Sequence, residues 1–427
     1  MASEQLSSTL KDIMQMQNLI KYLVILLLTV ALLTISGCSI LNIKQQSDAI
    51  NNTGTISGSL KVETDNDALA YILLFKVQEI GTELVSKYAL QGDGEFRFYA
   101  GSGTYAIAAF QDTNRDKLYQ HSEPATIYGG AKVSDAIVIQ LDSNRAITLE
   151  QMVIHSPLEE KTEQDNISFE IQRLKSGELA SLDDPKFSRE IGTLGLWEPM
   201  SFLEQVGGGL YTLSPPDKHR IPVIFIHGAG GTPLEFEHMI ESLDSSRFQA
   251  WVLHYPSGLR LDIVSDFLVK SINQMDSQLT MKEFYLVAHS MGGLVMRSTV
   301  MKYTSSTHRA KIGLAMTINS PMNGMASAEF GTKTSPIVLP SWRDVAKNSD
   351  FIKQISEWSW PHTIPYHLVF SYESGSGDDG VVALESQLPM WLQSDATRLY
   401  GFNAGHATIL VDRIFVDRFK HIINASQ

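Results

Sequence analysis

The sequence predicts an α/β fold in which a small all-β sandwich precedes a mostly parallel sheet with helices on both faces. Short β-rich runs separated by turn residues fill the part of the chain from about residue 54 to 155. From residue 221 onward, apolar strand-like runs alternate with helical patterns. The length of 427 residues agrees with two or three domains of ordinary size.

The composition argues against nucleic-acid binding and against disulfides or cysteine-rich metal sites. The chain carries 34 Lys and Arg against 47 Asp and Glu, a formal net charge of -13. A body this acidic repels phosphate backbones, so no nucleic-acid partner is expected. Cys38 is the single cysteine, so the chain can form no intramolecular disulfide and no cysteine-rich metal site.

The N-terminal segment has the order of a secretory signal. Lys21 precedes an apolar run of about 14 residues, 22–35, which is shorter than the ~20 residues that a membrane-spanning helix needs. The run ends in Ile35-Ser36-Gly37-Cys38, which resembles the lipobox of bacterial lipoproteins. The resemblance implies that residues 1–37 are removed and that Cys38 is lipidated, which anchors the protein to a membrane. A plain signal anchor with a chance cysteine is the alternative.

Two details refine this prediction. Ser39 after the cysteine, where Asp would retain a lipoprotein in the inner membrane, implies the outer membrane within the resembled class. Met14 or Met16 would give a more usual cationic start than Met1. Residues 38–53 are expected to form a flexible tether.

Residues 54–155 are predicted to form the sandwich from about seven short strands. The run Gly103–Phe110 resembles transthyretin-like or carboxypeptidase-regulatory-like sandwiches, which are appended to many secreted enzymes. The predicted strands are Thr55–Val62, Ala70–Val77, Glu83–Leu90, Glu95–Tyr99, Thr104–Phe110, Ala136–Leu141 and Ala146–His155.

One loop of this region has the spacing of a weak calcium site. Asp112, Asn114, Asp116 and Glu123 offer oxygen atoms at positions 1, 3, 5 and 12 of a loop. A strand rather than a helix precedes the loop, and a polar turn tip is the alternative interpretation. No other metal and no organic cofactor is expected.

Residues 156–215 are expected to form a connector, with one helix over Asn166–Leu182 and a turn at Gly207-Gly208-Gly209. Residues 216–427 then alternate between strands and helices. The predicted strands are Ile221–His227, Phe248–Tyr255, Glu283–His289, Ile312–Asn319, Tyr366–Tyr372 and Arg398–Asn403, and the predicted helices are Pro233–Leu243, Leu261–Leu279, Met291–Tyr303, Trp342–Ile355 and Ile409–Ile423.

The strongest chemical signal is Ala288-His289-Ser290-Met291-Gly292. A serine between a strand and a helix, with small residues two positions before and after it, is typical of a nucleophile elbow. A serine that only caps the helix is the alternative. The predicted strand, turn and helix around Ser290 favour the nucleophile.

With this motif, residues from about 195 to 425 resemble the α/β-hydrolase superfamily, in its lipase and esterase branch, and the family of GPI inositol-deacylase-like hydrolases. The loop His227-Gly228-Ala229-Gly230 resembles the oxyanion loop of bacterial lipases. The resemblance implies the N–H groups of Ala229 and Met291 as oxyanion donors, with Gly230 as the neighbour if the loop is shifted by one. His227 is expected to shape the loop rather than to act as a base.

The resemblance also implies an acid and a base in the order Ser, Asp, His. Lipases of this branch carry Asp-Gly-x-Val at the acid position, which Asp379 matches, with Asp378 as the fallback and Glu373 as a more distant alternative. Of the 12 histidines, His406 alone lies downstream of this acid and ahead of a helix. Ser290 is therefore expected to attack a carbonyl, His406 to move its proton, and Asp379 to orient His406.

The predicted function is hydrolysis of carboxylic esters through an acyl-enzyme, with a lipid or another hydrophobic ester as substrate. An insertion at about 322–361 is expected to form either a mobile lid or a fixed wall of the pocket. Two alternatives stay open: an acyltransferase or thioesterase with the same triad, and a non-catalytic surface lipoprotein with a vestigial hydrolase domain.

Overall fold

The computed structural model describes residues 40–116, 118–130, 132, 135–159, 174–306, 308–373 and 375–425. The residues from Ser47 onward belong to one compact unit. The expected signal peptide (1–37) and the lipidated Cys38 lie outside the described residues. Among the residues described, no helix combines the length and the apolar character that crossing a membrane requires.

Part of the expected tether is a helix. Residues 40–51 are helical, and this helix is α1. Ile50 is buried in the largest apolar core that the described residues form. The Asn51 amide donates to the carbonyl of Val338 at 3.2 Å and its Oδ1 accepts from Arg343 Nε at 3.1 Å. The tether prediction is therefore wrong for residues 47–53, because apolar burial and these hydrogen bonds fix the end of α1.

Two β-sheets form the region before residue 155. One sheet has the order β4-β1-β8 with β9 also paired to β1, and the other has the order β3-β2-β5-β6 with β7 also paired to β5. Ile56 of β1, Ile72 of β2 and Phe98 of β4 all lie in one shared core. The strands are β1 (Gly54–Val62), β2 (Ala70–Val77), β3 (Thr82–Leu90), β4 (Gly94–Ala100), β5 (Gly103–Gln111), β6 (Ala125–Ile127), β7 (Ile139–Leu141), β8 (Ala146–Thr148) and β9 (Met152–Ile154).

Three differences from the predicted strands are local. The run predicted as Ala136–Leu141 is a strand only from Ile139, and the run Ala146–His155 divides into β8 and β9. The sequence prediction missed β6, a three-residue strand paired with β5. Such short strands leave too little alternation for the pattern to mark their ends.

The second part is built on an eight-stranded sheet. In spatial order its strands are β10, β11, β13, β12, β14, β15, β16 and β17, and all neighbouring pairs are parallel except β11 with β13. The bounds are β10 (Leu174–Leu179), β11 (Gly208–Thr212), β12 (Ile221–Ile226), β13 (Phe248–His254), β14 (Glu283–His289), β15 (Lys311–Ile318), β16 (Tyr366–Tyr372) and β17 (Arg398–Asn403).

Helices cover both faces of this sheet. Along β12, Val223 and Phe225 lie in one buried core, whereas Ile224 and Ile226 lie in the other. The helices are α2 (Arg189–Trp197), α3 (Pro199–Gln205), α4 (Glu237–Glu241), α5 (Leu261–Leu279), α6 (Met291–Thr304), α7 (Ala326–Thr334), α8 (Pro340–Val345), α9 (Asp350–Glu357), α10 (Leu384–Gln387), α11 (Met390–Asp395) and α12 (Arg413–Ala425).

The expected connector contributes to the sheet. β10 and β11 both lie within 156–215, with α2 and α3 between them. The helix predicted over Asn166–Leu182 is wrong for 174–179, which pair with β11 as a strand, and its earlier residues lie outside the described ranges. The sheet therefore begins before residue 216, the expected start of this domain.

Three predicted helices are shorter or interrupted. Residues Pro233–Phe236 and Thr408–Val411 form 3₁₀ turns before α4 and α12. The helix expected over Trp342–Ile355 is two helices, α8 and α9, because Asn348 has a positive φ of 65° and Ser349 caps α9. Helices α7, α8 and α9 make up the insertion between β15 and β16.

Polar contacts join β4 to α5. Tyr99 Oη lies 2.5 Å from Asp262 Oδ2 and 2.9 Å from Asp266 Oδ2, and its single proton is shared between the two carboxylates. Lys302 of α6 pairs with both carboxylates at 2.5 Å, and Arg97 lies 3.4 Å from Asp262. The two carboxylates, one turn apart on α5, are thus shared by the first and second parts of the chain.

Candidate active site

Ser290 stands at the junction of β14 and α6. Its backbone has φ 53° and ψ -130°, a conformation that a residue with a side chain rarely adopts. Such a conformation costs on the order of 1–3 kcal/mol and persists only where the surroundings impose it. The Ser290 N–H donates to the carbonyl of Ile318 at 2.8 Å, which anchors the turn to the end of β15.

Gly292 and Gly293 are required by the close approach of α6 to the ends of β12 and β15. A Cβ on Gly292 would lie 2.3 Å from the carbonyl oxygen of Ile226 and 2.6 Å from that of His227. A Cβ on Gly293 would lie 2.1 Å from Ser320 Oγ. The turn places Ser290 before the first residue of α6, where unpaired N–H groups and the helix dipole favour developing negative charge.

The structure brings Ser290, His406 and Asp379 together. His406 Nε2 lies 2.9 Å from Ser290 Oγ, and His406 Nδ1 lies 2.7 Å from Asp379 Oδ2. Asp379 follows β16 and His406 follows β17, so the three side chains meet at the carboxyl edge of the sheet. The order of contacts is that of a nucleophile, a base and the group that orients the base.

Both carboxylate oxygens of Asp379 accept hydrogen bonds. Its Oδ1 accepts from the N–H groups of Val381 at 2.9 Å and Val382 at 2.7 Å, while Oδ2 faces His406. Burial alone would raise the pKa of Asp379. The hydrogen bonds from His406 and Val382, the charge of His406 and the N–H of Val381 outweigh burial, and the net result is a lowered pKa.

The alternative acids have other partners. Asp378 Oδ1 accepts from the N–H of Gly380 at 3.0 Å, within its own turn. Glu373 is exposed beside that turn, and its backbone N–H donates to the carbonyl of Asp378. The carboxylate that meets His406 Nδ1 is that of Asp379.

The loop after β12 approaches the nucleophile. A Cβ on Gly228 would lie 2.8 Å from Ser290 Cβ and 3.3 Å from Ser290 Oγ. The N–H of Gly230 is already paired with Ser257 Oγ at 2.8 Å, which disfavours it as an oxyanion donor. Ala229 and Met291 therefore remain the two candidate donors beside Ser290.

His227 is engaged in holding this loop. It is buried, its ring stacks on Tyr255 at 4.3 Å, and its Nδ1 lies 3.0 Å from the carbonyl oxygen of Gly228. Its Nε2 accepts from the Tyr255 N–H at 3.4 Å. Burial lowers the pKa of His227. These contacts agree with the expectation that His227 shapes the loop and is not the base.

Sequence reasoning missed three polar residues around His406. Its carbonyl oxygen accepts from Asn319 Nδ2 at 3.1 Å and lies 3.0 Å from His289 Nε2, and His289 in turn contacts Glu235. His289 stands next to Ser290 in the elbow motif, which is the only signal in the sequence that could have drawn attention to it. Asn319, at the end of β15, has a positive φ of 51°.

The predicted calcium loop is a closed polar turn. Asp112 Oδ1 and Asn114 Oδ1 both accept from the N–H of Asp116, at 3.1 and 3.0 Å. Glu123 accepts from the N–H groups of Thr113 and Gln120. Within the described ranges, no group of three or more His, Cys, Asp or Glu is arranged to hold a metal ion. Calcium binding at this loop stays a prediction from the sequence.

Comparison with known proteins adds a family match. Residues 221–345 match the model of the alpha/beta hydrolase fold. No curated protein matches the chain.

Solved structures of low sequence identity are also similar. A Listeria innocua gene product is 17% identical over 49% of this chain and 95% of its own, with a TM-score of 0.37. Est1E from Butyrivibrio proteoclasticus is 13% identical over 49% of this chain and 89% of its own, with a TM-score of 0.36. A lipase-esterase related protein from Clostridium acetobutylicum is 11% identical over 51% of this chain and 99% of its own, also with a TM-score of 0.36.

The family match and the sheet agree. Numbered along the chain from β10, the strands of the large sheet lie in the order 1-2-4-3-5-6-7-8, with the second strand antiparallel to its inner neighbour. The second part of the chain, from β10 to α12, therefore has the alpha/beta hydrolase fold.

Proposed function

We propose that the protein is a serine hydrolase that cleaves carboxylic esters through an acyl-enzyme, as lipases and esterases do. The observation that carries the proposal is the unbroken chain of contacts from Ser290 Oγ through both nitrogens of His406 to Asp379, at 2.9 and 2.7 Å. A serine hydroxyl is a weak nucleophile by itself, and this arrangement is the means by which it is activated.

The proposed reaction has two halves. Ser290 Oγ forms a bond to the ester carbonyl carbon while its proton passes to His406 Nε2. The N–H groups of Ala229 and Met291 stabilise the negative oxygen of the tetrahedral intermediate. His406 then gives the proton to the leaving alcohol as the ester bond breaks. Water, deprotonated by His406, attacks the acyl-enzyme and releases the carboxylic acid and free Ser290.

Apolar side chains on α2, α7 and α8, of which Leu196 lies beside the oxyanion loop, favour a hydrophobic ester. A Cβ on Gly230 would lie 3.5 Å from Leu196 at the end of α2. The next residue, Trp197, packs edge-on against Trp342 of α8 at 5.9 Å. Phe330 on α7 is 68% exposed. These residues of α2, α7 and α8 offer apolar surface for an acyl chain or a lipid.

Of the three helices in the insertion, α8 and α9 have buried residues and α7 is loosely packed. Asp344 of α8 is buried, accepts from Arg260 Nε at 2.8 Å and also accepts from the N–H of Leu261 at 2.7 Å. By contrast, α7 contributes no buried residue. We therefore propose that α8 forms a fixed wall of the pocket and that α7 is the element able to move.

A direct assay tests the proposed activity. With a short-chain nitrophenyl ester, Ser290→Ala is expected to lower kcat by at least about 10⁴-fold, because the nucleophile is lost. Ser305→Ala, at the opposite and exposed end of α6, is the matched control and should keep wild-type activity. Equal rates for wild type and Ser290→Ala would refute Ser290 as the nucleophile. A fluorophosphonate should label the wild type and the control but not Ser290→Ala.

The same protein can separate the remaining alternatives. Acyl transfer to an added alcohol or amine, or preferential cleavage of thioesters, would indicate an acyltransferase or a thioesterase with this triad. A wild type that neither turns over esters nor reacts with the fluorophosphonate would support a non-catalytic role. Lipid profiling of cells with and without active protein then distinguishes phospholipids, neutral lipids and small esters as substrates.

The finer parts of the proposal come from sequence resemblance. We propose a GPI inositol-deacylase-like hydrolase, preceded by a transthyretin-like sandwich and anchored to the outer membrane through lipidated Cys38. Cys38→Ser is expected to abolish labelling by a radioactive fatty acid and to release the protein from the membrane fraction. Retention of both in the variant would contradict the anchor.

A further inference from the structure

His289 has no role in the mechanism above, although it directly precedes the nucleophile. It ends β14, it is 4% exposed, and its ring centroid lies 4.9 Å from that of His406. Its side chain makes two polar contacts, one through each ring nitrogen. Both ring nitrogens of this buried histidine are in polar contacts beside the proposed catalytic base. Its protonation state therefore matters for the site.

The partners of His289 determine where its protons lie. Nε2 is 3.0 Å from the carbonyl oxygen of His406, which can only accept, so Nε2 carries a proton. Nδ1 is 3.1 Å from Glu235 Oε1, and a carboxylate also only accepts. Both contacts can be hydrogen bonds at the same time only if both ring nitrogens of His289 carry protons. The geometry is therefore that of a charged imidazolium.

His227 provides an internal comparison. Its Nδ1 faces a carbonyl oxygen and its Nε2 faces the N–H of Tyr255, so one nitrogen donates and the other accepts. That arrangement needs only a neutral ring. Two buried histidines of the same site thus differ in the chemistry of their partners, and only His289 has two acceptors.

The surrounding charges favour a cation at His289. Glu235 faces it from the 3₁₀ turn after β12, and Asp379 and His406 face it from the loops after β16 and β17; His227 lies on the β12 side. Burial alone would lower the pKa of His289. The charge and hydrogen bond of Glu235, the His406 carbonyl and the charge of Asp379 together raise it above its ordinary value.

The two partners of His289 belong to the two loops that flank the nucleophile. Glu235 Oε1 also accepts from the N–H of Gly228 at 3.3 Å, in the loop that carries Ala229. The backbone of His406 is also held through its N–H, which donates to the carbonyl of Asp379 at 2.7 Å. A link from Glu235 through His289 to His406 therefore connects the oxyanion loop to the base.

We propose that His289 is a positioning residue which, as an imidazolium bridging Glu235 and the carbonyl of His406, keeps the oxyanion loop and the catalytic base in register. The inference rests on the proposed hydrolase function. Loss of the bridging proton at alkaline pH leaves the Nδ1 lone pair facing a carboxylate. One of the two contacts then breaks, and the base and the oxyanion donors lose their common alignment.

The charge itself is tested by nitrogen NMR of the full chain with ¹⁵N-labelled histidine. Signals of His289 are assigned by their absence in His289→Gln. At neutral pH both of its ring nitrogens are expected to be protonated in the wild type, and Glu235→Gln should return the ring to the neutral form. A neutral ring in the wild type, with the bridging proton on Glu235 instead, overturns the proposal. This readout does not depend on catalytic activity.

The positioning role is tested by pH profiles of kcat. The wild type is expected to lose activity at alkaline pH, and Glu235→Gln should shift this loss to lower pH by about one unit or more. His289→Gln should lack this alkaline loss and have kcat lowered by about 100-fold with KM nearly unchanged, because misplaced catalytic groups affect the chemical step. Glu237→Gln, two residues further along the chain and exposed, is the matched control.

An unchanged alkaline profile in both Glu235→Gln and His289→Gln would overturn the positioning role. Fluorophosphonate labelling of Ser290 is measured in the same samples. If the wild type is not labelled and has no activity, the proposed hydrolase function fails, while the NMR measurement still decides the charge of His289. If His289→Gln does not fold, His289→Asn supplies the assignment and Glu235→Gln supplies the pH profile.

Discussion

Replacing Asp379 with asparagine should abolish the proposed hydrolase activity by reversing the tautomer of His406. The Oδ1 of Asp379 accepts two backbone N–H groups, from Val381 and Val382, and Oδ2 accepts from His406 Nδ1. An asparagine side chain has one oxygen and one NH₂ group, so it can satisfy only one of these sides as an acceptor.

The relative costs decide the orientation of the new amide. Turning the NH₂ toward Val381 and Val382 would leave both N–H donors without this acceptor, and the unpaired N–H of buried Val382 alone would cost about 1–3 kcal/mol. Turning it toward His406 requires only that Nδ1 become the acceptor and that the ring proton move to Nε2. The second orientation is favoured, and Nε2 then faces Ser290 Oγ with a proton and cannot take another.

The expected loss is about 10⁴-fold in kcat, which corresponds to about 5 kcal/mol of transition-state stabilisation. Hydrolysis of a nitrophenyl ester measures it, with Asp378→Asn as the control, since Asp378 needs only one oxygen to accept from Gly380. Fluorophosphonate labelling should slow in parallel, and the KM should change little. If Asp379→Asn stays within tenfold of wild type, or if Asp378→Asn shows the large loss, the assignment of the acid is refuted.

Three further predictions address the loop, the junction with α5 and acid stability. Gly228→Ala should lower kcat by about 100-fold with a normal KM, since its Cβ would lie 2.8 Å from Ser290 Cβ; wild-type kcat would contradict this. Tyr99→Phe should reduce the free energy of unfolding in urea by about 2 kcal/mol, because a hydrogen bond shared by two carboxylates is lost, whereas Tyr105→Phe, which loses one bond to a neutral acceptor, should cost less. The pKa of Asp379 is lowered in the fold, so its stabilising contribution is present above its unfolded pKa of about 3.8 and is lost as pH falls through the folded value. The difference in unfolding free energy between wild type and Asp379→Asn should therefore shrink in acid, and a difference independent of pH would contradict the shift.

Local signals were sufficient for much of the α/β part. The strands from β12 to β16 are apolar runs bounded by turns, and each was predicted within about two residues of its observed ends. The elbow at Ser290 was visible because a strand, a serine and a helix follow one another directly. The order of the chain then singled out Asp379 and His406, and the structure brings all three side chains together.

Features that depend on tertiary packing escaped prediction. The strand β10 has the sequence Leu-Lys-Ser-Gly-Glu-Leu, which has neither an apolar run nor a regular alternation, and it is a strand because β11 pairs with it. Helix α1 becomes fixed because Ile50 reaches a core formed by residues far along the chain. The contact between Glu235 and His289 joins residues 54 positions apart. No spacing rule relates such pairs.

Because Asp262 and Asp266 are shared by the two parts of the chain, a truncated fragment that contains only the second part loses some of their partners. A fragment starting near residue 156 would keep both carboxylates and Lys302 but lose Tyr99 and Arg97. It would also lose Ile50 from the interior. An expression fragment limited to the second part of the chain would thus expose two carboxylates that have lost part of their partners, and it would have a cavity where Ile50 packs. A neutral residue at one of these two positions, 262 or 266, would lower the exposed charge of such a fragment and leave the other carboxylate to pair with Lys302.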